Sequence, residues 1–213
     1  MSVFNACGAQ APARPMREQL RAATAPLHAT VDAAMPLAQP HATLADYQRH
    51  LLVLQDWFAA LSLALPGLPG LAQEQRGVAR DAEGCARLLG DAGTAAPPPP
   101  GVLAALRGLA DGPQSEAARW GVRYVIEGSH LGGQVLYRRL AAALAPHPLD
   151  YLRGAGPGAA APGARWRQFL LGLAEQRWDT AAQGAATEAA RHAFELLIAC
   201  LHARQMRQEL VPS

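Results

Sequence analysis

Lysine is absent from this 213-residue chain, so all 19 basic residues are arginine. Any cationic clamp is therefore a permanently charged guanidinium able to bind bidentately. Asp and Glu number 17, leaving a net charge of +2. No basic run or RNA-binding signature occurs, so no nucleic-acid partner is expected. Cysteine is scarce: Cys7, Cys85 and Cys200 are far apart, odd in number, and form neither a CxxC pair nor a zinc spacing. That excludes a disulfide framework. Only 17% of residues are charged while 50% are apolar, which allows a substantial core and excludes a disordered chain. No run reaches the roughly 18 apolar residues of a membrane span. The first 15 residues, MSVFNACGAQAPARP, lack the continuous apolar core of a signal peptide. A soluble, cytoplasmic protein is expected. Also missing are HExxH, GxGxxG, P-loop and GxSxG motifs.

What is present is helical periodicity. Residues 1–15 read as a flexible tail, 16–208 as one all-α domain, and 209–213 as a C-terminal tail. Leu20, Leu27, Val31 and Ala34 form the apolar stripe of a first helix that Pro36 and Pro40 end. A second helix spans about 43–65 behind Thr43 as cap. Residues 71–90 suggest one or two shorter helices, interrupted near Gly77. The prolines of GDAGTAAPPPPG (90–101) mark a loop. Helices follow at about 102–110 and 114–145, then a Pro/Gly-rich connection at 146–164, then helices at about 165–177 and 180–208. No alternating strand pattern is found.

The centre of the fifth helix holds an excess of glycine: Gly121, Gly128, Gly132 and Gly133. Each costs a helix interior about 1 kcal/mol relative to alanine, roughly 4 kcal/mol together. Gly121, Gly128 and Gly132 fall on one face, with Gly128 and Gly132 each within about 20° of Gly121. Either that face packs closely on another helix, or something flat and rigid lies on its bare backbone. A local kink at Gly132-Gly133 serves either reading.

The first helix carries Arg21, Thr24, His28 and Asp32 on one shoulder of its apolar stripe. Asp32, at i+4, can hold one imidazole nitrogen of His28, leaving the other for a metal. Arg21, two turns earlier, can reach an anionic group of the same ligand. A helical His–Asp pair is equally an ordinary surface pair. His41, His50, His130, His147, His192 and His202 have no comparable setting, and His130, turned away from the glycine face, reads as a surface residue.

Three blocks in order resemble the haem oxygenase family, closest to bacterial biliverdin-producing enzymes associated with bacteriophytochromes. LRAATAPLHATVDAAM (20–35) is similar to the proximal-histidine helix, YVIEGSHLGGQVLYRRL (124–140) to the glycine-rich distal helix, and EAARHAFELLIACL (188–201) to the last conserved helix, with Phe194 at its aromatic position. Tyr151–Gly154 and residues 165–169 also resemble the bacterial subgroup. The resemblance implies a haem oxygenase-like bundle holding haem b, as substrate and cofactor, between the first helix and a kinked distal helix. It implies ring opening with dioxygen and external electrons to biliverdin, carbon monoxide and ferrous iron.

By the same resemblance His28 is the iron ligand, with Thr24, Asp32, Tyr124 and Phe194 around the haem. Gly128, Ser129, Gly132 and Gly133 cover its other face, with Gly128, Ser129 and Gly132 in the catalytic role. Arg21 meets a propionate, with Arg165 and Arg167 as further candidates. Arg138 and Arg139 lie where relatives contact the electron donor, here a ferredoxin, flavodoxin or reductase. A bacteriophytochrome is the implied receiver of biliverdin. One departure stands out: many members carry an aspartate on the distal helix where this chain has Ser129. Serine can hold a water but carries no charge. The alternative is therefore a haem-binding, storage or sensing protein of the same fold with impaired turnover.

Overall fold

The computed structural model describes residues 14–91, 100–154 and 161–210. Cys7, the expected N-terminal tail up to residue 13, Pro97–Pro99 and residues 211–213 lie outside them. Eight α-helices occur among the described residues: α1 Met16–Ala34, α2 Leu44–Ala64, α3 Leu71–Leu89, α4 Pro100–Ala110, α5 Ser115–Leu140, α6 Asp150–Arg153, α7 Pro162–Glu175 and α8 Thr180–Leu210, with a 3-10 turn at Pro36–Ala38. No strand occurs among those residues, and none of these helices is long and apolar enough to cross a membrane.

Local chemistry accounts for several boundaries. Thr43 closes a capping box at the start of α2: its side chain accepts from the Asp46 N–H, and Asp46 accepts from the Thr43 N–H at 2.8 Å. Gly90 ends α3 at φ 74°, and its N–H donates to Ala86 O at 2.8 Å. Pro162 sits in the first turn of α7, where its missing N–H costs nothing.

α8 is the central element, packed against α5, α1, α2 and α4. Ala182, Ala186, Ala189, Ala190 and Ala193 are all buried along it. Small side chains at these spacings let neighbouring helices approach closely. Trp57 of α2 is fully buried and donates its indole N–H to Ala193 O at 2.8 Å. α1 runs parallel to α8, with Gln19 meeting Gln183 near one end and His28 meeting Phe194 farther along.

Three expectations need correction. α3 is one unbroken helix, because its glycines are contact points for the following chain rather than breaks. A Cβ at Gly77 would stand 3.2 Å from the Tyr151 ring, and one at Gly84 2.7 Å from His147 Nε2. α5 ends at Leu140, several residues early, and the connection after it contains α6. That connection is pinned from within. The Leu149 N–H donates to His147 Nδ1 at 3.0 Å, so His147 Nε2 carries the proton it donates to Asp81 O at 3.1 Å. Asp81 in turn accepts from the Tyr47 hydroxyl at 2.5 Å and from the Tyr151 N–H at 2.9 Å. Finally, α8 reaches Leu210, into the expected C-terminal tail.

Candidate functional site

α1 and α5 each lie along α8 but barely meet one another. The two helices that carry the candidate residues therefore both pack on α8 with few contacts to each other. They touch where Tyr124 hydrogen-bonds Thr24. Burial raises the Tyr124 phenol, an effect countered by the Arg17 and Arg21 guanidiniums and the Thr24 bond. Thr24 itself donates to Leu20 O at 2.8 Å. Both arginines thus stand near the Tyr124–Thr24 contact, and both are exposed. Arg17 was not among the sequence candidates, although it lies one turn before Arg21 on the same shoulder.

One turn beyond Thr24, His28 is open to solvent, with 61% of its side chain exposed. Its Nδ1 lies 2.8 Å from Asp32 Oδ2. That contact places the Nδ1 proton toward the carboxylate and leaves Nε2 with a free lone pair. The Phe194 ring of α8 lies 5.8 Å from the imidazole, tilted by 56°. No group of three or more His, Cys, Asp or Glu able to hold a metal occurs among the described residues. His28 is suited to be a single protein ligand to a metal whose other positions are filled by its own cofactor.

The other candidate helix, α5, is continuous through Gly132-Gly133, so the expected kink does not interrupt its hydrogen-bonded ladder. The four glycines prove to have different surroundings. A Cβ at Gly121 would fall 2.0 Å from Ala186 O, so this glycine allows close contact with α8. A Cβ at Gly133 would come 3.3 Å from Leu152 O, so Gly133 serves the packing of α6. At Gly128 a Cβ would make ordinary contact with Trp166 at 3.9 Å. At Gly132 nothing lies within 4 Å. Packing explains the first two; it leaves Gly132 without a reason. Leu131 and Val135 flank Gly132 on this face and are 36% and 62% exposed. Sequence reasoning missed them, although both fall within about 60° of Gly128 on the helix. Ser129 is exposed, and its hydroxyl donates to Ile126 O at 2.7 Å.

The other side of α5 is buried and charged. Contrary to the surface reading of His130, it is 7% exposed and its Nε2 lies 3.0 Å from Glu74 Oε2. Arg165, a candidate for an anionic ligand, spends its guanidinium on buried carboxylates. Its Nη2 lies 2.7 Å from Glu74 Oε1, and its Nε and Nη2 donate to Glu127 at 2.5 and 3.0 Å. Burial would raise the Glu74 carboxyl, but His130 and Arg165 outweigh that and hold it below the usual range. Arg167 is exposed. Arg138 is exposed, whereas Arg139 donates to Leu37 O and so ties α5 to the 3-10 turn.

No family model matches the chain. A curated protein of Xanthomonas campestris pv. campestris (strain 8004), named Heme oxygenase, is 38% identical to it over 120 residues. The match covers 55% of this chain and 62% of that protein, so it spans less than two thirds of the relative's length. The all-helical architecture is consistent with this similarity to a haem oxygenase.

Proposed function

We propose that the chain binds haem b between α1 and α5 and opens its ring to biliverdin, carbon monoxide and ferrous iron. The observation that carries this reading is the pairing of an exposed His28, its Nδ1 engaged by Asp32, with the bare backbone at Gly132. The residues present fit the group. A flat apolar macrocycle needs an unobstructed helix face, and its carboxylate-bearing edge needs cations. Gly128, Gly132, Leu131 and Val135 supply the first, Arg17 and Arg21 the second.

When bound, haem supplies both the iron at which dioxygen is reduced and the ring carbon that is oxidised. The chain does the rest. His28 holds the iron through neutral Nε2, and Asp32 keeps the ring in that tautomer and makes it a stronger donor. Phe194 limits how far the imidazole can turn. Arg21 and Arg17 meet propionates beside Thr24 and Tyr124, with the exposed Arg167 as a further candidate. Gly128 and Gly132 let the α5 backbone approach the opposite face, and Gly133 allows α6 to brace it. Arg138, solvent-exposed at the end of α5, is suited to an acidic electron donor such as a ferredoxin, flavodoxin or reductase. Biliverdin is the chromophore a bacteriophytochrome would receive.

Ser129 favours a second reading. Its hydroxyl proton is committed to Ile126 O, so it offers lone pairs but no charge and no free proton. A haem-binding or sensing protein without turnover is the reading that fits if nothing else orders water there. Titration with hemin, then addition of ascorbate or a ferredoxin–reductase system in air, separates the two. The enzyme gives a one-to-one complex whose Soret band decays as a biliverdin band grows. A stable Soret band leaves a binding protein, and no complex at all sinks both.

A further inference from the structure

Behind the open face of α5 lies a polar cluster that the proposed reaction does not use. Glu74 comes from α3, Glu127 and His130 from α5, Tyr151 from α6 and Arg165 from α7. The Glu74 side chain is 3% exposed, that of Glu127 10%, of His130 8% and of Arg165 26%. Arg165 bridges the two carboxylates, and Glu74 also bonds the Tyr151 hydroxyl.

Burying charges in this way is a weak source of stability, because apolar residues of similar volume often do as well. What such a cluster does supply is direction. A guanidinium fork on a carboxylate accepts one register and one orientation. On α5 the residues gripped are Glu127 and His130, which bracket Gly128 and Ser129 in sequence and project from the side away from Gly128 and Gly132. The stretch they grip has poor helix propensity, and at Gly132 it touches nothing.

We propose that the Glu74–Arg165–Glu127–His130 cluster is a positioning device that clamps α5 from behind. It fixes the height of the Gly128–Gly132 backbone over the haem face and so decides which meso carbon is opened. Arg165 is then a positioning residue rather than a propionate ligand. The inference rests on the haem-binding reading above.

The test uses the full chain. Arg165→Met removes the fork at similar length, Glu127→Gln removes a charge at constant shape, and Arg165→Lys restores charge without the fork. In the ligand-free protein, hydrogen exchange at amides 128–133 should quicken at least about threefold in Arg165→Met, with α2 and α8 unchanged. The hemin complex, still formed through His28, should show a shifted high-spin to low-spin balance. Its product should change from one biliverdin isomer to a mixture. Glu127→Gln should give the same pattern more weakly, and Arg165→Lys should recover part of it. Wild-type exchange and a wild-type isomer in both Arg165→Met and Glu127→Gln would overturn the clamp. So would acceleration spread evenly over all helices, which marks a merely structural role. If Arg165→Met does not fold, Glu127→Gln decides by the same readouts. Failure of the wild type to take hemin defeats the functional reading instead, and the exchange experiment still judges the clamp.

Discussion

Gly121 and Gly132 stand on the same face of α5, three turns apart, and do opposite things. At Gly121 the helix presses on α8 so closely that a methyl group would overlap the Ala186 carbonyl. At Gly132 the same face opens onto empty space. One residue type thus serves contact between helices at one end and access to the backbone at the other. A stripe of glycine on a helix therefore does not distinguish a packing seam from a ligand face. The partner opposite each position does.

The contrast can be broken by experiment, and the effects on stability should fall in a definite order. Gly121→Ala comes first. Its Cβ would lie 2.0 Å from Ala186 O and 2.8 Å from Ala186 C, backbone atoms that can move only with α8 itself. We expect a loss of about 3 kcal/mol or more in urea unfolding. A change below about 0.5 kcal/mol would mean that the two helices are not seated this closely.

The packed side also holds His50, buried on α2 with no partner for Nδ1 and its pKa lowered by burial to about 4. The unfolded ring takes a proton near pH 6.5, the buried ring only near 4. Between those values the unfolded state binds more protons, so stability falls as pH falls, by roughly 3 kcal/mol across the window. His50→Leu should flatten that limb of the stability–pH curve. An unchanged slope would assign the acid sensitivity elsewhere.

Gly132→Ala should act in the opposite sense to Gly121→Ala. With nothing near the new methyl, the ligand-free protein should gain about 1 kcal/mol from helix propensity. Under the proposed function hemin affinity should drop, because the methyl occupies the face proposed for the ring. A loss of stability with unchanged hemin binding would make Gly132 a packing residue after all. The smallest effect on stability belongs to His28→Ala, within about 0.5 kcal/mol for so exposed a side chain. Its effect on the complex should be the most diagnostic, with the histidine-ligated spectrum lost. A wild-type spectrum in that variant would assign the iron to another residue.

The local geometry of the candidate site was legible because it arises within one helix. His28 and Asp32 meet for the reason their spacing suggests, and Thr43 caps α2 through its own Asp46. The misreadings share one physical cause. His130 and Arg165 lie 35 residues apart in sequence, and both converge on Glu74 of a third helix. No periodicity within a segment reports such a convergence. Gly77 and Gly84 looked like breaks because the chain that packs on them arrives some 60 to 75 residues later. Leu131 and Val135 were overlooked because an apolar residue in sequence looks the same whether its face is covered or left open.

Alone, the sequence determined the all-helical architecture, most helix boundaries, the tautomer-setting pair on α1 and the placement of three glycines on one line of α5. These follow from hydrogen bonds and side-chain spacings within one or two turns. Only the tertiary structure decided which helix covers each face, which glycine is pressed against backbone and which is bare, and that Arg165 turns to Glu74 and Glu127. A helix face records how apolar or small its residues are, but which other face covers it is settled only when the helices compete for the same buried space.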